Sequence, residues 1–116
     1  MHATHVELEC TGTYTLESSL QVYGQAFEIA TREGRGAVLV DIRRITGGPP
    51  TLMDRYQQGV HVAELQAGPG RRTRFALVGH EPMIHPQRFG EVIATSHGAI
   101  ARVFTDLDEA LAWISG

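Results

Sequence analysis

The stretch that decides the fold is AVLVDIRRITGGPPTLMDRY, residues 37–56. It begins with an apolar run, residues 37–42, that only Asp41 interrupts. A short apolar run without polar alternation is typical of a strand covered on both faces of a sheet. The turn-forming segment 47–50 follows, and Thr51 then stands where a helix would begin. This stretch therefore predicts a central strand, a stiff loop and a capped helix.

The rest of the chain alternates strand and helix patterns around that stretch. Residues 5–10 alternate apolar and acidic side chains, which indicates a half-exposed strand that Gly12 ends. Apolar side chains at helical spacing predict helices over residues 15–33, 51–67 and 85–97 and a last helix that starts at residue 105. Thr15 is the predicted N-cap of the first helix. Two further apolar runs predict strands at residues 74–79 and 99–104. Residues 1–116 are therefore predicted to form one α/β domain, with a four- to five-stranded, mostly parallel sheet alternating with four helices.

Local chemistry adds detail to the second helix. Thr51 and Asp54 have the spacing of a capping box, with Asp in place of the usual Glu. The apolar side chains at helical spacing, which are predicted to face the core, are Met53, Tyr56, Val60, Ala63 and Ala67. Arg55 would then lie at the edge of the loop rather than inside.

Two other helices carry local signals. Gly24 stands inside the first helix, where glycine is unfavourable, and this predicts a neighbour that packs closely against it. His85 and Pro86 are predicted to be the N-cap and first residue of the third helix, because proline is favoured at that position.

Composition excludes several classes of function. The net charge is −3, and this acidic balance argues against a nucleic-acid partner. The single cysteine, Cys10, excludes an intramolecular disulfide. No basic segment followed by an apolar run begins the chain, and no apolar stretch approaches the roughly 20 residues that span a bilayer. We expect a cytoplasmic domain without a membrane span.

Motifs for cofactor, metal or nucleophile chemistry are weak. The Gly47-Gly48 pair lies between a strand and a helix, but the following Pro49 and Pro50 have no N–H to donate to a phosphate. His80 and His85 lack the further ligands and spacing of a zinc site. The arginines at positions 43, 44, 71, 72 and 74 are most simply solvated loop charge. No cofactor, no metal and no catalytic residue is predicted.

Polar side chains stand near the ends of three predicted strands. Asp41, His80 and Asp106 each lie at or just past such an end. In open α/β sheets this edge is where ligands bind, so the three side chains are candidates for a site. The simpler explanation is that strands become polar where they reach water.

Three runs together carry a resemblance to a known family: VLVDIRRITGGPPTLMDRYQQG (38–59), RFALVG (74–79) and ARVFTDLDEALAWI (101–114). The chain resembles stand-alone bacterial STAS-like proteins, which are related to anti-sigma factor antagonists and sometimes grouped with CRAL-TRIO lipid carriers. The resemblance implies a small α/β fold without a cofactor. In the antagonists, a partner kinase phosphorylates a serine in a D-S-S-G-like motif at a helix start. Here GGPPT replaces that motif, and the positional counterpart is Thr51.

Three hypotheses of function follow. The first is a non-enzymatic regulatory module that binds a protein partner, either a regulator or kinase-like protein or a second copy in a homodimer. Its expected surface includes Asp41, Thr51, Asp54, Arg55, Tyr56 and His80. The alternative is a domain that binds a small apolar ligand or lipid between the sheet and the helix from Thr51. The third is a small enzyme that uses Asp41 and His80.

Overall fold

A computed structural model describes residues 5–68 and 73–115 of the chain. Arg71 and Arg72, part of the predicted basic cluster, lie outside these residues. Strands and helices alternate, with four of each in the described ranges. The strands are β1 (His5–Thr13), β2 (Ala37–Thr46), β3 (Arg74–Val78) and β4 (Ala101–Phe104). The helices are α1 (Leu16–Glu33), α2 (Leu52–Gln66), α3 (Phe89–Ser96) and α4 (Leu107–Ser115).

The sheet confirms the predicted α/β class. Its strand order is β1-β2-β3-β4, and every neighbouring pair is parallel. Because right-handed crossovers that advance in one direction keep their helices on one side, α1, α2 and α3 share a face of the sheet. The last helix, α4, covers the opposite face. All three crossover helices therefore begin at the edge where the strands end.

The two first strands are longer than the sequence pattern predicted. Instead of ending at Gly12 and at residue 42, β1 and β2 pair as far as Thr13 with Thr46. Gly12 adopts a φ of 103°, which its missing side chain allows, so the strand continues through it. A register shift between Glu9 and Thr11 accommodates extra length in β2. Asp41 consequently lies within β2, level with the end of β3, and not at the end of its own strand.

The buried face of α2 differs from the predicted one. The residues that lie inside are Arg55, Gly59, Val62 and Gln66, whereas Tyr56 is 42% exposed and Met53 is 63% exposed. The predicted inner face of α2 was therefore wrong by one position along the helix. Arg55 lies inside, where Tyr56 was predicted, and Tyr56 lies outside. Apolar spacing misled because the true inner face contains a glycine and two polar residues whose side chains bond to backbone groups.

Gln66 shows how such a polar residue is accommodated. Its side-chain nitrogen donates to the carbonyl oxygens of Thr73 at 2.6 Å and Ile100 at 2.9 Å. Its side-chain oxygen accepts from the N–H of Ile100 at 2.7 Å. One side chain thereby satisfies three backbone groups where β3 and β4 begin, since buried polar groups need partners.

The predicted helix starts are partly confirmed. Thr15 caps α1, and Thr51 and Asp54 form the capping box of α2. The third helix, in contrast, begins at Phe89 rather than at His85. His85 instead closes a turn, because its carbonyl oxygen accepts from the Arg88 N–H at 2.8 Å. Arg88 has a left-handed φ of 56°, which separates this turn from the helix.

The helical glycines yield a matched test of packing. A Cβ at Gly59 would lie 2.8 Å from Ile93 and 2.9 Å from the backbone nitrogen of Ala94, whereas one at Gly24 meets no atom within 4 Å. The close neighbour predicted for Gly24 is therefore absent among the described residues, and Gly59 has one.

We expect Gly59→Ala to lower the free energy of unfolding by about 1–3 kcal/mol, because α3 must move away from α2. Gly24→Ala should raise it by roughly 0.5–1 kcal/mol through better helix propensity. Urea denaturation of the two variants beside the wild type measures both changes. Equal shifts in the same direction would contradict the close α2–α3 contact.

Candidate functional site

A cavity of about 140 Å³ lies at the carboxyl edge of the sheet, beneath the first turns of the three crossover helices. Each of these helices contributes to its wall, α1 through Ser18 and Ser19, α2 through Arg55 and Gln58, and α3 through Glu91. Ligands of open α/β sheets bind at this edge, because strand ends and helix starts enclose a crevice there. The cavity is thus in the position where a binding site is expected.

Most of the cavity wall is apolar. The floor consists of side chains from the sheet, Val40, Ile42, Leu77 and Val103. Val22 of α1 and Ile84 of the loop before α3 line it as well. Ligand pockets in proteins commonly combine such an apolar lining with a few polar groups that orient the ligand.

Arg55 is the buried charged group of this wall, and only 7% of its surface is exposed. Glu91, which is half-buried, and Arg88, which is exposed, line the cavity as well. Its guanidinium donates to the carbonyl oxygens of Met83 and Pro82, each at 2.9 Å. Within the described chain no carboxylate forms an ion pair with it. Burial lowers the pKa of Arg55 from its ordinary value, while nearby Tyr14, Tyr23 and the Asp54 carboxylate act in the opposite direction. The cavity therefore contains a cation whose contacts are neutral carbonyls.

A hydrogen-bonded cluster lies beside Arg55. The Tyr14 hydroxyl donates to an Asp54 carboxylate oxygen at 3.1 Å and accepts from the Gln58 amide at 3.1 Å. The same amide donates to the Ser19 hydroxyl at 3.1 Å. Burial, followed by the bond to Asp54, raises the pKa of Tyr14 to about 12. This cluster ties β1, α1 and α2 together at one side of the cavity.

Tyr23 has a buried hydroxyl and a different environment. Only 4% of the residue is exposed, and its ring packs edge-on against Phe75 with the centroids 5.1 Å apart. No described residue forms a hydrogen bond with the hydroxyl. Burial raises the pKa of Tyr23, and Tyr14, Cys10 and Arg55 act on it electrostatically. Tyr23 itself is one of the residues that line the cavity.

Asp41 and His80 lie in a separate groove, which Glu9, Cys10, Arg43 and Arg44 also line. Both Asp41 carboxylate oxygens are occupied, because the Arg43 guanidinium donates to them at 3.0 and 2.8 Å. These bonds lower the pKa of Asp41. His80 is exposed and forms no described hydrogen bond with Asp41. Asp106, the third strand-end candidate, accepts from the Asp108 N–H at 2.8 Å at the start of α4.

The six residues predicted for the interaction surface are thus in three places. Arg55 enters the cavity, and Asp54 lies beside it through Tyr14. Thr51 and Tyr56 face outward, and the Tyr56 ring lies 6.2 Å from the ring of His97. Asp41 and His80 belong to the other groove.

Sequence reasoning missed Tyr14, Tyr23 and Gln58 as site residues. Tyr23 lies on the apolar stripe of α1, so its ring looked like ordinary core. One signal was available for the α2 face: Arg55, Gly59, Val62 and Gln66 recur at spacings of 4, 3 and 4. A helical face built from a glycine and polar residues indicates a close approach of backbone or an internal polar contact.

The two hydrogen bonds of the Tyr14 hydroxyl should stabilise the folded state. Tyr14→Phe removes both of them and should lower the free energy of unfolding by about 1 kcal/mol at neutral pH. The control is Tyr56→Phe on the exposed face, which should stay within about 0.5 kcal/mol of the wild type.

The effect of Tyr14→Phe should also depend on pH. Because the pKa of Tyr14 is raised to about 12, the unfolded chain ionises first, near pH 10. The stabilisation is therefore present below about pH 10 and is lost as the pH rises toward 12. Denaturation curves at pH 8 and pH 11 measure this; a difference between wild type and variant that grows with pH would contradict it.

Comparison with protein-family models, curated proteins and solved structures found no match to the chain. No helix among the described residues is long and apolar enough to cross a membrane. The same residues contain no group of three or more His, Cys, Asp or Glu that could hold a metal ion.

Proposed function

We propose that the chain is a binding domain for a small, mainly apolar organic molecule, which occupies the cavity beneath α1, α2 and α3. The observation that carries this proposal is the cavity itself, about 140 Å³ with a largely apolar wall. An engineered protein cavity of roughly 150 Å³ accepts benzene. A ligand body of about that size fits the space that the described residues leave.

The polar groups around the cavity favour binding over catalysis. The hydroxyl of Ser18 is within 2.6 Å of the Thr15 hydroxyl, and that of Ser19 donates to the Leu16 carbonyl at 2.7 Å. Burial raises the pKa of Cys10, which keeps it in the less reactive thiol form. His85 accepts from the N–H of Gln87 at 3.0 Å. These bonds stabilise the local structure and activate no nucleophile.

Filling the cavity tests this proposal. We expect toluene to shift the amide NMR signals of cavity residues in the wild type, and native mass spectrometry to detect any ligand that copurifies. Val22→Phe occupies the cavity and should weaken toluene binding at least about tenfold, since the site no longer has room. The control, Val92→Phe, adds the same bulk at an exposed position of α3 and should leave binding unchanged. Toluene shifts that are absent from the wild type, or equal in both variants, would contradict ligand binding in this cavity.

A second candidate function is the STAS-like regulatory module, in which the start of α2 binds a protein partner in the bacterial cytoplasm. One observation favours it: Leu52, Met53 and Tyr56 are large apolar side chains that are exposed on consecutive turns. They lie next to Thr51, whose side chain is exposed as well. An apolar surface beside a modifiable hydroxyl is suited to a partner that phosphorylation displaces.

A phosphate on the Thr51 hydroxyl would change the hydrogen bonds at the start of α2. The Thr51 hydroxyl accepts from the Asp54 N–H at 3.0 Å, and Asp54 accepts from the Thr51 N–H at 3.3 Å. A phosphate on Thr51 gains from the positive end of α2 but approaches the Asp54 carboxylate. Because Asp54 also accepts from Tyr14, repulsion there would reach the wall of the cavity.

Interaction measurements separate this candidate from ligand binding. We expect Met53→Asp and Thr51→Glu to abolish association with the partner, whether a regulator captured on the immobilised protein or a second copy seen by sedimentation. Gln25→Asp, on an exposed position of α1, is the control for added negative charge. Association that persists in both α2 variants would contradict a partner surface at the start of α2.

A further inference from the structure

We infer that the molecule bound in the cavity carries a carboxylate, which the guanidinium of Arg55 holds. This inference rests on the proposed ligand-binding function and names the chemistry of that ligand. It depends on three observations of the described chain: an unpaired buried cation, a buried hydroxyl without a partner, and the volume of the cavity.

The first observation is the buried guanidinium of Arg55. Arg55 is 7% exposed, and it uses two N–H groups, which donate to the carbonyl oxygens of Met83 and Pro82. A guanidinium has five N–H donors, so about three remain. Carbonyl oxygens supply only partial negative charge, and among residues 5–68 and 73–115 no carboxylate lies within 4.0 Å of the guanidinium. The Asp54 carboxylate acts on Arg55 electrostatically but forms no ion pair with it. Burying a cation without an ion pair is costly, and an anionic ligand would offset that cost.

Tyr23 is the second, independent observation. Its hydroxyl is almost fully buried and has no hydrogen-bond partner in the described chain, although such a group normally has one. The neighbouring hydroxyl of Tyr14 already donates to Asp54. Tyr23 lines the cavity and is therefore a buried neutral donor available to a ligand there. Its hydroxyl and Arg55 also interact electrostatically.

The type of anion follows from geometry and space. A planar carboxylate matches the fork of a guanidinium and can accept from two of its N–H groups at once. One oxygen can accept from Tyr23 as well. A phosphate would bring more charge than the one buried arginine balances, would be repelled more strongly by Glu91 in the same wall, and would fill much of a 140 Å³ cavity. The ligand that fits is a monocarboxylate with an apolar body about the size of a benzene ring.

Two probes that differ only in charge test the inference. Benzoate and benzamide have nearly the same shape, and isothermal titration calorimetry measures the binding of each. We expect the wild type to bind benzoate at least about tenfold more tightly than benzamide, because charge-assisted hydrogen bonds are the stronger ones. Inorganic phosphate, added as a competitor, should not displace benzoate.

Variants then assign the charge to Arg55. Arg55→Met should weaken benzoate binding on the order of tenfold to a hundredfold while changing benzamide binding less than about threefold. Arg32→Met removes the same charge from an exposed position near the end of α1 and should change neither. Tyr23→Phe should weaken benzoate binding about threefold to tenfold, and it serves as the second variant if Arg55→Met does not fold.

The binding measurements separate failure of the carboxylate inference from failure of ligand binding itself. Equal binding of benzoate and benzamide to the wild type, or equal loss of both in Arg55→Met, would overturn the carboxylate while leaving an apolar binding site intact. Displacement of benzoate by phosphate would overturn it in favour of a phosphorylated ligand. If benzoate, benzamide and toluene all fail to bind, the proposed ligand-binding function itself is wrong.

Discussion

The contact between Gly59 and α3 is the constraint on which the site depends. A Cβ at this position would lie 2.8 Å from Ile93, so only a glycine lets the two helices meet there. Facing Gly59 toward α3 sets the rotation of α2 about its axis. Residues three or four positions apart share a helical face, and Arg55 is therefore turned inward while Tyr56 is turned out. One missing side chain thus places a charge inside the cavity and an apolar surface outside it.

Hydrogen bonds of Asp54 connect the outer side of α2 with the side that faces the cavity. Asp54 accepts from the backbone of Thr51 on the outer side and from the Tyr14 hydroxyl beside the cavity. The surface proposed for a protein partner and the cavity proposed for a ligand therefore share one carboxylate. The two proposed roles are compatible for this reason, since a change at Thr51 would act on the Tyr14 hydroxyl through Asp54.

Much of the fold could be predicted from local sequence. The alternation of strands and helices, the parallel sheet, the Thr15 cap and the Thr51–Asp54 capping box all depend on contacts between residues close in the chain. The errors came where distant parts of the chain meet. The start of α3 is the local exception, since His85 closes a turn with Arg88. Gly12 continues β1 because β2 pairs with it, and Arg55 lies inside because α3 packs closely against Gly59. Spacing along one segment contains no information on such neighbours.

The sequence by itself therefore determined the class of fold, the order of its elements and where most of them begin, because propensity, caps and apolar periodicity act locally. It also brought Arg55 and Asp54 forward as candidate residues. Only the tertiary structure decided that Arg55 is buried and that Tyr23 has a hydroxyl without a described partner. These properties depend on which helix approaches which, and a close approach at a single glycine outweighs the apolar pattern of the helix that contains it.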